Sequence, residues 1–203
     1  MKSLLLTLLS FCFIVSINAQ DDTEMTASYP ENGDIEWHAY AGLFSGFGSE
    51  DGFGPVDETT YSHTIGFGVG VDYYFSKTWS IKGRLNYDPK GSKDDNVDSK
   101  FTATYLTLPV MANWHFGKRK RWYLHFGPYV GFLLSADIDG QDVKDNVHST
   151  EFGSDVGIGV KIPIGNTMFF VETDGQNDFT EMSDFTGEGI TWARTTLSIG
   201  IIF

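Results

Sequence analysis

The chain has 203 residues, a formal net charge of −13, 15% aromatic residues, 23 glycines and one cysteine. Such acidity offers no cationic surface for counterion release, which excludes nucleic acid as a partner. The lone Cys12 falls within the first twenty residues, so the rest of the chain holds no thiol, disulfide or cysteine metal site.

Residues 1–20 read as a signal peptide. Lys2 supplies the positive start, Leu4 to Ile17 form an apolar stretch broken only by Thr7, Ser10 and Ser16, and Ala19 or Gln20 closes it. The stretch is too short for a spanning helix, and no other run reaches the roughly 18 apolar residues that one needs. Residues 21–34 are acidic and polar with Pro30 and Gly33, the composition of a flexible leader. The barrel domain is expected over 35–203.

From there apolar residues recur at every second position, the signature of strands with two unlike faces. A weak alternation over 35–47 is followed by the clear series Ile65, Phe67, Val69, Val71, Tyr73, Phe75. After a second weak segment at 78–88 come Leu106 to Phe116 and Trp122 to Leu134. Phe152, Val156, Ile158, Val160, Ile162 and Ile164 continue the pattern, and weaker versions at 167–175 and 190–203 complete it. The tally is eight strands, and Pro109, Pro128 and Pro163 within them predict bulges, since proline cannot donate to the ladder.

The connections alternate in length and charge. Ser76-Lys77, Gly117-Lys118-Arg119-Lys120 and Gly165-Asn166 are short turns, with long links near 48–62, 89–100, 135–151 and 176–189 between them. The long links carry sixteen acids against four lysines, whereas the short turns carry Lys77, Lys118, Arg119 and Lys120. Tight turns at one end and long loops at the other belong to outer-membrane barrels. The fold class is therefore all-β, a transmembrane antiparallel up-and-down β-barrel of eight strands in the outer membrane of a Gram-negative bacterium. A soluble secreted ligand-binding barrel is the alternative with the opposite sense, polar outside and apolar within.

If the large apolar positions face lipid, the positions between them face the lumen. That set includes Glu36, His38, Tyr40, Asp72, Lys82, Arg84, His115, Arg121, His125, Asp155, Lys161, Glu172, Asp174 and Arg194. Its five acids balance its five lysines and arginines, as a narrow interior of paired charges requires. Eight strands leave room for little besides side chains. Trp37, Trp79, Trp114 and Trp122 near strand ends, with Tyr87 toward the opposite end of its strand, are candidates for interfacial aromatic girdles. Terminal Phe203 closes the last strand and reads as the C-terminal assembly signal.

Tyr105-Leu106-Thr107-Leu108-Pro109, a basic turn, Gly127-Pro128-Tyr129-Val130-Gly131-Phe132-Leu133-Leu134, and then Gly153-Ser154-Asp155-Val156-Gly157 follow one another in order. In these runs the chain resembles the PorT-like outer-membrane β-barrel proteins, porin-family barrels common in Bacteroidota. The resemblance covers nearly all of the chain after the leader. It implies an eight-stranded outer-membrane barrel with no shared catalytic motif, and some members of that family serve a secretion system.

Chemistry beyond the barrel is sparse. His38, His115 and His125 can point inward, but they lack the close spacing of a zinc motif, and hydrogen-bonded lumen residues are the better reading. Asp137 to Asp145 could gather carboxylates around Ca²⁺, yet its glycine is misplaced for an EF-hand and no closing Glu follows. Gly66, Gly68, Gly70, Gly157 and Gly159 lie on strands, where they make room for larger side chains rather than cradle a phosphate. No nucleophile-elbow motif marks a serine. The expected role is non-enzymatic, structural or interactive, with acidic loops outward and a plugged polar lumen; a narrow porin for small solutes or ions is the alternative. Expected partners are outer-membrane lipid and lipopolysaccharide, the barrel-assembly machinery, and a secretion-system or surface partner.

Overall fold

A computed structural model describes residues 30–49, 60–94, 99–180 and 191–203. The expected signal peptide 1–20 and most of the expected leader 21–34 lie outside the described residues. Nine strands occur among the described residues: β1 (Ile35–Ser49), β2 (Thr60–Ser76), β3 (Trp79–Asp94), β4 (Ser99–Phe116), β5 (Trp122–Ile138), β6 (Gln141–Asp142), β7 (Thr150–Ile164), β8 (Thr167–Asp178) and β9 (Thr191–Ile202). Every pairing is antiparallel; each long strand pairs with the next long strand along the chain, β5 with β7 past the short β6, and β1 pairs with β9 from His38↔Ile202 to Ser49↔Thr191. This closes an eight-stranded barrel in which no spanning strand is left as an edge. The two-residue β6 only folds back on the end of β5, through a turn in which Asp139 and Gly140 both have positive φ, 53° and 81°. That is the type I′ geometry for which Asp-Gly is suited.

The alternation in sequence becomes a two-faced wall. Ile65, Phe67 and Val69 of β2 point outward, Ile65 with 70% of its surface exposed, while Gly66, Gly68 and Gly70 between them are buried. The same outward apolar face continues through Val110, Phe126, Val156 and Ile199. Inside lie Asp72, Lys82, Arg84, His125 and Glu172, all buried. This is the sense of a barrel dissolved in lipid and the reverse of a soluble ligand-binding barrel, which it rules out.

Three expectations need correction. The prolines cause no bulges: on either side of Pro128 the β4–β5 register is the same, Pro109↔Tyr129 and Ala112↔Phe126, and Pro163 pairs in register with Met168. Each costs a donor without adding a residue. The register shifts fall instead at Thr104/Tyr105, Tyr61/Phe67 and Tyr74/Ser76. The link near 89–100 is largely strand, because Pro89 to Asp94 pair with Thr104 to Ser99 and prolong the β3–β4 hairpin. Tyr87 is consequently in the middle of β3 rather than near its end. It stacks on Phe67 at 5.0 Å between ring centres.

The lumen is packed by a rule of large against none. A Cβ at Gly68 would meet the Tyr40 ring at 2.8 Å, and one at Gly157 would meet His125 Nε2 at 2.5 Å. Gly66 stands likewise against Phe44, Gly159 against Tyr123 and Gly200 against Phe170. Inward rings thus lie over neighbouring strands that give up their side chains, which is how so narrow an interior holds them.

Candidate functional site

The candidate site is the lumen itself, built in three storeys from inward positions of all eight barrel strands. At the floor, near the short turns, Lys161 Nζ donates to Glu36 and, at 2.6 Å, to the Tyr74 hydroxyl, which donates to Glu36 at 2.6 Å. Beside them Asp72 accepts from Ser80 at 2.8 Å and from Asn113 at 3.0 Å. His115 Nε2 stands 3.0 Å from the same Ser80 oxygen. Since Ser80 already gives its proton to Asp72, His115 serves it as a donor. This is the opposite of what an activated nucleophile needs.

The middle storey turns on Glu172, which is 1% exposed. Arg84 grips it in a fork, Nη1 to Oε1 at 2.6 Å and Nη2 to Oε2 at 2.9 Å, and Lys82 reaches Oε2 at 3.2 Å. Charge-assisted bidentate pairing of this kind is among the stronger polar contacts available to a protein. Arg84 also lies 4.6 Å from the centre of the Tyr40 ring, and Lys82 lies 4.2 Å from that of Tyr123. His38 accepts from Arg84 Nε at 3.2 Å. On the far side His125 stands between Asp155, at 3.3 Å, and Glu172, at 3.5 Å.

The upper storey, toward the long links, pairs Arg194 with Asp88 and holds Lys90 between Glu151 at 2.7 Å and Asp178 at 3.0 Å. Tyr129 donates to Asp178. Sequence reasoning placed Arg194 in the lumen but missed the rest of this storey, counting Lys90, Glu151 and Asp178 as link charges. Asp88 and Lys90 continue the parity of Arg84 and Asn86, a signal that was present. The residues of the other parity, Pro89 and Gly91, are not large apolar residues, so the contrast that marks a lipid-facing strand is missing there.

Glu36, Asp72, Lys82, Arg84, His115, His125, Asp155, Lys161, Glu172 and Arg194 therefore all sit in the interior, Glu36 half-buried at its lower edge. Arg121, expected with them, is half-buried at the turn before β5, where its carbonyl accepts from Lys161 N. Trp79, Trp114, Phe116 and Trp122 form a row at the turn end of the wall, with successive ring centres 6.4, 4.9 and 6.5 Å apart. Exposed Trp37 lies at the same end, its carbonyl accepting from Phe203 N at 2.8 Å. At the other end, Asp139 accepts from Lys100 N and Asp142 from Lys144 N, so these carboxylates serve their own loops. Val143 and Val147 fold onto Ala103, Tyr105, Leu133 and Ala136.

Residues 18–180 match the family model described as outer membrane protein beta-barrel domain. The chain belongs to that family, and it is a small barrel of the outer membrane of a Gram-negative bacterium. No curated protein matches the sequence. Among solved structures, the outer membrane protein OprG from Pseudomonas aeruginosa is similar with a TM-score of 0.54 and 13% identity, over 85% of this chain and 97% of that one. Neisserial surface protein A is similar with a TM-score of 0.52 and 12% identity, over 83% of this chain and 97% of that one. At such identities the likeness is one of fold.

Proposed function

We propose that this chain is a non-enzymatic, PorT-like outer-membrane barrel of the kind common in Bacteroidota, which works through its acidic long links above a plugged lumen. Those links face the cell exterior, where lipopolysaccharide and a surface or secretion-system partner meet them. Terminal Phe203 addresses the chain to the barrel-assembly machinery. The Tyr105 to Pro109 and Gly127 to Leu134 runs support the family reading, since they form facing segments of β4 and β5.

The single observation that carries the plugged lumen is the Arg84–Glu172–Lys82 cluster, with every member buried at mid-height. An ion crossing the barrel has to displace it. A second reading, a narrow channel, draws on a small cavity beside this cluster, about 10 Å³ and so wide enough for a water molecule, lined by His38, Asp72, Lys82, Arg84, Tyr123 and Lys161 among others. The test is conductance of the detergent-purified, heat-modifiable barrel in a planar bilayer. Silence from folded protein is expected. Steady single-channel steps would replace the plug with the channel.

A further inference from the structure

We propose that the middle of the lumen binds one divalent transition-metal ion, Zn²⁺ or a metal of similar preference, between His125, Glu172 and Asp174. One ligand atom from each of the three lies within 4.8 Å of the others, and all three residues are buried. His125 has no exposed surface, and neither of its ring nitrogens has a hydrogen-bond partner. Leaving both unsatisfied in the interior is costly.

The geometry around the ring accounts for both nitrogens. Nε2 faces Asp155 Oδ1 at 3.3 Å, and Asp155 is itself held through Oδ2 by Gln176 at 2.7 Å. Metal-bound histidines are oriented by a carboxylate on the nitrogen away from the metal, which is the place Asp155 occupies. Nδ1 faces Glu172 Oε2 at 3.5 Å, outside hydrogen-bonding geometry. A neutral ring with its proton toward Asp155 would set two lone pairs against each other there. An ion about 2.0–2.1 Å from each atom, the usual zinc distance to nitrogen and oxygen, spans that gap at a near-tetrahedral angle.

The balance of charge agrees. Glu172 is partnered by Arg84 and Lys82, but Asp155 and Asp174 have no lysine or arginine within ion-pairing distance among the described residues. This leaves the storey one cation short. Gly157 lets the His125 ring and Asp174 crowd together: a Cβ there would come within 2.5 Å of His125 Nε2 and 2.8 Å of Asp174 Cβ. One imidazole with carboxylates suits zinc and its neighbours rather than the all-oxygen shells preferred by calcium or magnesium.

The test is Co²⁺ binding to the full processed chain in detergent, followed by visible absorption and by metal content after gel filtration. The metal is supplied both to folded barrel and during refolding, so that a closed lumen does not hide the site. One equivalent is expected, with the visible band of a low-coordinate nitrogen and oxygen site and competition by Zn²⁺. His125→Gln should abolish it, and Asp155→Asn should weaken it by about 10–100-fold. Asp139→Asn with Asp142→Asn in the outer loop should leave it unchanged. Heat-modifiability on an unboiled gel verifies that each variant is folded, and Asp174→Asn, also expected to abolish binding, replaces any that is not. No binding by folded wild-type protein, or undiminished binding by folded His125→Gln, overturns the proposal. Either result is independent of whether the barrel conducts.

Discussion

Glu172 takes one Arg84 nitrogen on each of its oxygens and Lys82 on the second, and the energetics of the lumen follow from that crowding. A buried ion pair is weak as a source of net stability, because desolvation consumes most of the attraction, but removing one partner strands the other. Glu172→Ala would leave Arg84 and Lys82 buried side by side without the carboxylate that both of them grip. The expected loss is about 3–5 kcal/mol of unfolding free energy, read by urea titration of tryptophan fluorescence in lipid vesicles. A loss below about 1 kcal/mol would mean that water replaces the carboxylate and that the lumen is wet, in line with the modest worth of exposed pairs. The members of this cluster were legible in the sequence, because Lys82, Arg84 and Glu172 occupy the polar parity of segments whose other parity is apolar. The pairing itself was not legible. Arg84 and Glu172 are 88 positions apart, and only closure of the barrel brings them into contact.

Each strand divides its residues between hydrocarbon and a packed polar interior, so the cost of an error depends on the face. Val69 and Phe126 lie on the outward face of β2 and β5, within the band of exposed apolar residues. Val69→Arg or Phe126→Arg should cost about 2–4 kcal/mol if the position lies near the bilayer midplane, and less toward either interface. Fractionation should show each variant depleted from the outer membrane and enriched in degradation products. Normal membrane yield of both would refute the assignment of faces. β9 carries a separate requirement, since it must pair with β8 on one side and β1 on the other. Phe203 extends that seam by one further bond to Trp37 while its side chain stays exposed, so folded-state packing gives little reason for an aromatic there. Deleting Phe203 is accordingly expected to slow assembly in cells while leaving the unfolding midpoint of refolded protein within about 1 kcal/mol of wild type, as for most surface changes. A large fall in that midpoint would make Phe203 a structural residue instead of a signal. The strand count was readable from alternation, whereas strand ends were not. Pro89 to Asp94 look like loop by composition, yet they continue the ladder because their partners Ser99 to Thr104 do.

For the whole molecule, the two rims differ in sign. The short turns carry Lys77, Lys118, Arg119 and Lys120, and the long links remain strongly acidic even though Lys90, Glu151 and Asp178 turn into the lumen. The row of Trp79, Trp114 and Trp122 lies at the basic rim, which marks that end as a membrane interface. Loop length then sets the orientation, because tight turns belong on the periplasmic side and long links outside. If this acidic rim meets lipopolysaccharide phosphates, as proposed, the two carry the same sign, and divalent cations between them or a basic partner above them would be needed. The orientation has a direct test that leaves the wall intact. An epitope inserted between Gly140 and Gln141, at the exposed tip of the β5–β6 hairpin, should bind antibody on intact cells. The same epitope between Lys118 and Arg119 should bind only after the outer membrane is permeabilised. Both variants keep all eight barrel strands, so heat-modifiability should be retained in each. The reverse labelling pattern would turn the barrel over, placing the acidic links in the periplasm and moving the search for a partner from the cell surface to the periplasmic space.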